Sequence, residues 1–424
     1  MTQRELGGGT LSESFISMVE HDRVKPSLAT LQRLSERLGE PLTAFLDAPP
    51  PPAEQAEVGL RRGEVLLSQH QFTEAVEAFS SVAAPAKASG SVVIQIRLEL
   101  GLGQGLTGLR QFDLAERHIR AARTLAESSN LPAWVAAAAQ AQGFLAFRAR
   151  RFEEAREVVQ DAIVRLKESG EGGSEVLGKL YALLGRTDVE LGLPSQALDS
   201  FREAADRLAR AADPSHQALL HYHMGIAYEQ RRSLERARWH LERAADLFRQ
   251  HENLHLLSVA VRSLGILRLD QGDLDGAASA LEQSLHLCRQ VGDDEGCAQT
   301  LVELARVRVR KGQVDGGRRT AEEARALAIR LHDDAEAARA ESALAEAAQA
   351  EGALPEAARR LEAAAATFER LKMAADFVRA SRDLGFVLMA QGEPAQAAQQ
   401  FARAFSMQHP MVALRGWGRA DGGS

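Results

Sequence analysis

The chain has 424 residues, 45% of them hydrophobic and only 5% aromatic, and its 58 acidic side chains outnumber 51 basic ones to give a net charge of −7. That length supports a large core or several domains, whereas the acidic balance argues against a broad nucleic-acid surface, no apolar run approaches the roughly 18 residues of a membrane span, and no signal-peptide pattern opens the sequence. Cys288 and Cys297, the only cysteines, read as reduced structural thiols of a cytoplasmic protein.

Residues 1–48 form a segment of short helices. Thr2–Leu6 is one piece, and the turn Gly7-Gly8-Gly9-Thr10-Leu11 weakens its end, because a glycine forced into a helix costs roughly 0.5–1 kcal/mol. Ser12 caps a second helix with Phe15, Ile16 and Val19 on one face. Pro26-Ser27 opens a third with Leu28, Leu31, Leu34 and Leu38 at helical spacing, ended by Gly39, and Pro41 opens a last short one with Leu42, Phe45 and Leu46. Four prolines, Pro49 to Pro52, then make a stiff spacer, so 49–54 is the expected linker.

From about residue 55 to 408 the sequence repeats. Gly63, Gly103, Gly143, Gly185, Gly225, Gly265, Ala305, Ala345 and Gly385 recur at an interval of about 40 residues, a length that suits a helical-hairpin unit. Only the step from Gly143 to Gly185 is slightly longer. Twelve residues after each marker is another small residue: Ala75, Ala115, Ala155, Ala197, Ala237, Ala277, Gly317, Ala357 or Ala397. Nine residues after each marker, Phe72, Phe112, Phe152, Pro194, Leu234, Leu274, Val314, Leu354 or Pro394 opens a second helix beyond a turn. Sixteen after comes a bulky residue in most units, but Ala321 in the seventh, the least typical. The period predicts eighteen helices in nine antiparallel hairpins, closely packed where the small residues meet. The prolines read as lying outside continuous repeat helices. Residues 409–424 are a tail.

The repeat resembles the tetratricopeptide repeat, most closely in Gly225-Ile226-Ala227-Tyr228 with Ala237 and Ala244. It departs in length, that repeat having about 34 residues and this one about 40. The N-terminal segment resembles the phage-repressor (XRE-like) helix-turn-helix domain of bacterial transcription regulators, through Thr2-Gln3-Arg4-Glu5-Leu6, Ser14-Phe15-Ile16-Ser17-Met18-Val19-Glu20, Arg23-Val24-Lys25-Pro26-Ser27-Leu28, Leu31, Leu34 and Leu38. Such domains carry a helix before the Thr-Gln pair. Its lack here implies a truncated head with Leu6, Ile16 and Leu34 exposed. The expected fold is all-α: this head, then a right-handed superhelical solenoid of about nine tetratricopeptide-like hairpins.

The resemblances also imply sites. Gln3 would meet a DNA phosphate; Ser12, Glu13, Ser14, Ser17 and Met18 would enter the major groove; Arg23 and Lys25, with His21, would touch the backbone. Because the head is not basic overall, attraction to phosphate would rest on local placement. In tetratricopeptide arrays the first helices line the concave face, at positions three before, one after and four after each marker. Gln140, Phe144, Arg186, Tyr222, Glu229, Arg262 and Arg306 would therefore contact a peptide, arginines clamping carboxylates beside apolar slots, as would Phe147, Ile226, Ile266, Val309, Arg382 and Phe386. The implied function is a DNA-binding regulator whose array binds a peptide or protein ligand, mediates homodimerisation, or does both. A protein-interaction scaffold with a vestigial head is the alternative.

A third class rests on His251-Glu252-Asn253-Leu254-His255, which matches the H-E-x-x-H pattern of zinc hydrolases. That chemistry needs both imidazoles on one helix, and here the motif straddles a repeat junction, so it is expected to be a turn. His216, His221 and His223 likewise read as groove or packing residues. Neither metal nor cofactor is expected.

Overall fold

The computed structural model describes residues 2–8, 11–21, 23–40, 51–169, 174–208 and 214–408. Every regular element among them is a helix, with no strand. Among these residues no helix is long and apolar enough to cross a membrane. The chain divides into two compact units, residues 1–141 and 142–424, within the helix Pro132–Arg148.

The first unit begins with the head helices Gln3–Gly7, Glu13–Glu20 and Leu28–Leu38. Ser12 caps the second by accepting from the Phe15 amide at 3.1 Å, Ser27 caps the third, and Gly39 ends it in the left-handed region. Ile16 and Leu34 are buried, against the expectation of exposure. Gly7 lies over Ile16, and Arg37 donates to the Leu6 carbonyl at 3.0 Å, so the third helix is tied to the end of the first. Leu38 remains 41% exposed. The short helix expected at Pro41 lies outside the described residues.

The expected linker is helical at its far end: Pro52 is the first residue of the helix Pro52–Ser68. A proline there loses no intrahelical hydrogen bond and its fixed φ suits the first turn. The second helix of repeat one departs from expectation. It runs Phe72–Ser81, breaks at Val82 and resumes as Ala83–Ala88. The cause is Pro85, a proline inside a repeat helix after all: it has no N–H to donate and its ring clashes one turn back. Among the described residues the repeats therefore hold nineteen helices between Pro52 and Gln408, one hairpin arm being split.

All nine second helices begin at the residue nine after the marker, from Phe72 to Pro394. The marker glycine is small because of the residue sixteen further on. A Cβ added at Gly63, Gly185 or Gly225 would sit 2.6, 2.5 or 2.7 Å from Phe79, Phe201 or Leu241, and Gly103, Gly143, Gly265 and Gly385 meet Ile119, Val159, Leu281 and Phe401 in the same way. Phe79 is buried against Gly101 as well, so one ring packs between the first helices of repeats one and two. In repeat seven the roles exchange. Ala305 faces the small Ala321, and Gly317 carries the close approach, its absent Cβ lying 3.0 Å from the Ala305 carbonyl. Cys288 and Cys297 lie on neighbouring helices of repeats six and seven, free and buried, with their sulfurs 2.6 Å apart. Burial and the adjoining thiol push Cys288 upward.

Helix ends keep the same register. The residue seven after every marker is left-handed: His70, Arg110, Arg150, Gly192, Arg232, Gly272, Gly312, Gly352 and Gly392. An L-residue pays roughly 1–2 kcal/mol for that conformation. Arg110→Gly is therefore expected to raise stability by up to about 1 kcal/mol, and Gly272→Ala to lower it by about the same amount. A Cβ at Gly272 would meet nothing within 4 Å, so strain alone is tested. Urea midpoints read both changes; equal midpoints for the pair would contradict the account.

Candidate functional site

In the second unit, one face of five successive first helices lines a cavity of about 590 Å³. The helices are Pro214–Gln230, Leu254–Asp270, Asp294–Arg310, Asp334–Ala350 and Ala374–Gln391, the first arms of repeats five to nine. The marker glycines and alanines bring each second arm close behind, which leaves this face free of helix-on-helix packing. Glu229, Arg262 and Arg306 all line the cavity, with Ile266, Glu346 and Arg382 at equivalent positions.

Its charges are partly committed to one another. Arg306, 6% exposed, has its Nη1 3.0 Å from Glu303 and its Nε 3.1 Å from Glu346, the second contact lacking hydrogen-bond alignment. Burial opposes the charge on Arg306, but the two carboxylates outweigh it and hold the guanidinium above its ordinary range. Arg339 bridges Glu336 at 3.0 Å and Asp376 at 3.1 Å, and Arg382 pairs with Asp383. Among the described residues Arg262, Arg310 and Arg379 make no hydrogen bond or ion pair. Burial, with Asp270 nearby, pushes the Glu229 carboxyl up to about 7. Seven arginines and seven carboxylates line the cavity, so it is a mixed-charge surface on which Arg262, Arg310 and Arg379 stand without a hydrogen-bonded carboxylate.

Phe144, Arg186 and Tyr222 form a second cluster in the same unit. The Arg186 guanidinium carbon lies 4.7 Å from the Phe147 ring centre and 5.8 Å from that of Phe144. Tyr222 accepts a long hydrogen bond from Ser263, the residue after Arg262, at 3.5 Å. Gln140 is half-buried in the N-terminal unit. At the far end of the register Phe386 is 56% exposed. The positions three before, one after and four after the marker thus give part of the lining. They miss Arg339 and Arg379, six before their markers, and Glu336 and Asp376, nine before. These continue the same stripe one or two turns toward the helix N-terminus, and a longer run of the 3.6-residue period would have reached them.

In the head, Glu13, Ser14 and Met18 are exposed on the helix whose other side buries Ile16. Arg23 and Lys25 are exposed in the following loop, and Ser17 is half-buried with its carbonyl 2.7 Å from His21 Nδ1. Three of these side chains are already engaged: Ser12 as the cap, Ser14, whose Oγ lies 3.1 Å from the Ser12 Oγ, and Gln3, whose amide donates to Glu20 at 2.6 Å.

The H-E-x-x-H match falls across a turn. The helix Leu234–Gln250 ends just before His251, Glu252 is left-handed, and the next helix starts at Leu254. The two histidines therefore do not share a helix, and His255 is turned to Asp293 at 3.1 Å. This geometry overturns the metallohydrolase reading. His221 instead meets His240, Nδ1 to Nδ1 at 3.0 Å, and His223 stacks on Phe201. Burial, then His221 and Arg236, hold His240 down to about 4.

With that geometry in place, solved structures can be compared. A Rap protein complexed with competence and sporulation factor superposes with a TM-score of 0.64 at 14% identity, over 85% of this chain and 99% of that one. The apo form of the quorum sensor NprR from B. thuringiensis gives 0.60 at 13%, over 84% and 99%. The Rap conjugation gene regulator of plasmid pLS20, in complex with the Phr* peptide, gives 0.57 at 13%, over 87% and 99%. These proteins share this chain's fold. It is the helical-repeat fold expected from the register of small residues. No protein-family model matches the chain, and no curated protein matches it by sequence.

Proposed function

We propose that this chain is a regulator whose array binds an extended peptide or a protein segment along the first-helix face of repeats five to nine. The observation that supports this most is the cavity itself, shared by five successive helices and holding Arg262, Arg310 and Arg379 without hydrogen-bonded carboxylates, beside Ile266 and Leu269. Guanidinium groups with no hydrogen-bonded carboxylate, next to apolar side chains in a mixed-charge cavity, suit a segment that offers carboxylates and hydrophobic side chains together. The solved Rap structures, one complexed with competence and sporulation factor and one with the Phr* peptide, support the reading from proteins of the same fold. The test is mass spectrometry of peptides co-purified with the chain, followed by affinity measurement with Arg262→Glu. A charge-assisted contact is worth about 1.5–3 kcal/mol, so affinity should fall roughly tenfold or more in a mutant with unchanged circular dichroism. Equal affinity would remove Arg262 from the site.

We further propose that the head reads DNA as a homodimer on a two-fold site. The exposed row of Glu13, Ser14 and Met18, held outward by the burial of Ile16, favours this over a vestigial head. Ser14→Ala is expected to change sequence preference, and Arg23→Ala or Lys25→Ala to weaken binding to all sequences alike. Selection from random duplexes checks both. No enrichment of any sequence by the chain would leave the scaffold reading standing.

A further inference from the structure

Trp239 breaks the pattern of its register. Fourteen residues after the marker the other repeats carry polar residues, and six of these are charged: Glu77, Arg117, Glu157, Asp199, Arg319 and Arg359. Repeat five puts an indole there, 57% exposed on the second arm Leu234–Gln250, which takes no part in lining the cavity. The rings beside it break a second pattern. Four before and fifteen after the marker, a carboxylate and a cation join the two arms of repeats two and eight: Glu99 with His118 at 2.7 Å, and Glu341 with Arg360 at 2.6 Å. In repeat five His221 stands in the acid's place opposite His240, and Trp239 lies edge-on to both rings, with centres 5.6 and 4.7 Å away. The neighbouring charges do not replace the missing acid. Arg243 acts on His221 and Arg236 on His240, and neither arginine makes a hydrogen bond or ion pair among the described residues. Arg236 lies instead over the Tyr228 ring at 5.6 Å. Arg238 pairs with Glu235 at 2.5 Å, so with Glu242 the exposed side of this arm sets three arginines against two glutamates.

An exposed indole flanked by unpaired guanidinium groups has the composition of an interface centre, because tryptophan and arginine carry much of the binding energy where proteins meet. We propose that the second-arm face of repeat five, made by Trp239, Arg236, Arg243 and the His221–His240 pair, docks an acidic segment of a partner protein. The partner's carboxylate supplies the acid that repeats two and eight carry internally, and an apolar neighbour packs on the indole. This face is separate from the first-helix cavity and does not depend on it. A protein segment suits it better than a nucleic acid, because Glu235 and Glu242 interrupt the arginines and the chain carries a net charge of −7. Docking has a proton signature. Without a partner the pair is neutral, one ring donating its Nδ1 proton to the other, and burial, foremost, holds both rings below their ordinary range, His240 at about 4. A carboxylate set beside them favours imidazolium and moves the pair back toward about 6.5. The complex then holds a proton that the free chain does not, so affinity rises as pH falls from above 7 toward 5, by up to about tenfold for one proton taken up.

The test uses the full chain and reads Trp239 itself, as the difference in tryptophan emission between the chain and Trp239→Phe. Three probes are titrated: a dodecapeptide of Glu, Leu and Ser, the same peptide with Gln for Glu, and an oligothymidylate of equal length. The Glu peptide should bind roughly tenfold or more tighter than the Gln peptide, and should tighten by up to about tenfold between pH 7.5 and pH 5.5. Arg243→Gln, which removes an exposed side chain with no partner to lose, should weaken it. His221→Glu supplies the acid from within, as Glu99 does for His118. It should melt no lower than the parent, weaken the Glu peptide and abolish the pH dependence; a marked loss of thermal stability would show that no acid is missing there and would overturn the proposal. Arg262→Glu, on the first-helix face, should leave the Trp239 response unchanged. Equal affinity for the Glu and Gln peptides, affinity independent of pH, or undiminished binding by His221→Glu would overturn the docking site. Tighter binding of the oligothymidylate would overturn it in favour of a nucleic-acid surface. Peptide bound by the chain with no response at Trp239 would overturn it while leaving the cavity reading intact.

Discussion

Gly225→Leu is expected to destabilise the array by roughly 1–3 kcal/mol. An added Cβ already falls 2.7 Å from Leu241 Cγ and 3.4 Å from the Ala237 carbonyl, and the rest of a leucine side chain has nowhere to go between the two arms of repeat five. The backbone effect runs the other way, since replacing a helical glycine gains up to about 1 kcal/mol, so Gly225→Ala should be nearly neutral. Removing the obstructing side chain supplies the control. In Gly225→Leu with Leu241→Ala the two losses should partly cancel, with a coupling of about 0.5–3 kcal/mol. Amide exchange should place the loosened protection in repeats four to six, because each repeat leans only on its neighbours. Additive losses, or loosening spread evenly over the array, would refute the packing described.

Arg306→Met is expected to be the more damaging change, at about 3–5 kcal/mol, because it leaves the carboxylates of Glu303 and Glu346 facing one another in a buried site. The pH dependence has a definite sign. Burial already raises Glu346 above the usual carboxylate range. A carboxyl whose folded pKa exceeds its unfolded value stabilises the fold at acid pH, and that contribution is lost as pH rises through the folded value. The deficit of Arg306→Met should therefore be largest at neutral pH and shrink toward pH 4.5. Adding Glu303→Gln and Glu346→Gln should recover most of it at pH 7. Thermal midpoints across that range decide the matter: a deficit independent of pH would mean the ion pairs do not hold these helices together.

That second expectation reverses what the sequence implies for Arg306. Its place one residue after a marker makes it a candidate ligand contact, and the structure does put it on the groove face. What the sequence could not show is that Glu303 and Glu346, one on its own helix and one on the next repeat, close around it. Pairing across repeats depends on side-chain reach, and a 3.6-residue period says nothing of it. Arg262 has the same local credentials and stays unpaired. The hairpin register, by contrast, was legible because small residues are required wherever two backbones approach, and the requirement recurs at fixed intervals. It failed locally at Pro85, whose disruption is a single-residue event inside an otherwise regular pattern. It blurred in repeat seven, where Ala305, Gly317 and Ala321 share the close contact differently. In the head, capping serines and leucine spacing sufficed to place three helices. Burial of Ile16, over which Gly7 lies, was not legible, since the sequence suggested Gly7 only as a weak helix end.

The left-handed residues have a bearing on how such a chain can change length. Arg232, Gly272, Gly312, Gly352 and Gly392 each stand one repeat beyond the last and occupy the same point of the same turn. Cutting out residues 273–312 would join Gly272 directly to Gln313, and the chain would still pass from a left-handed turn into the helix that Val314 opens. A cut slightly longer or shorter than one whole repeat would instead push helical side chains into the turn and rotate every later face off its partner. Growth and shrinkage by whole repeats are thus the steps open to this backbone, each adding or removing one first helix from the charged first-helix face and moving its reach by one helix spacing of about 8–10 Å. The turns act as a vernier: the length of that face is gained or surrendered in steps, while the residues on either side of the cut stay in register.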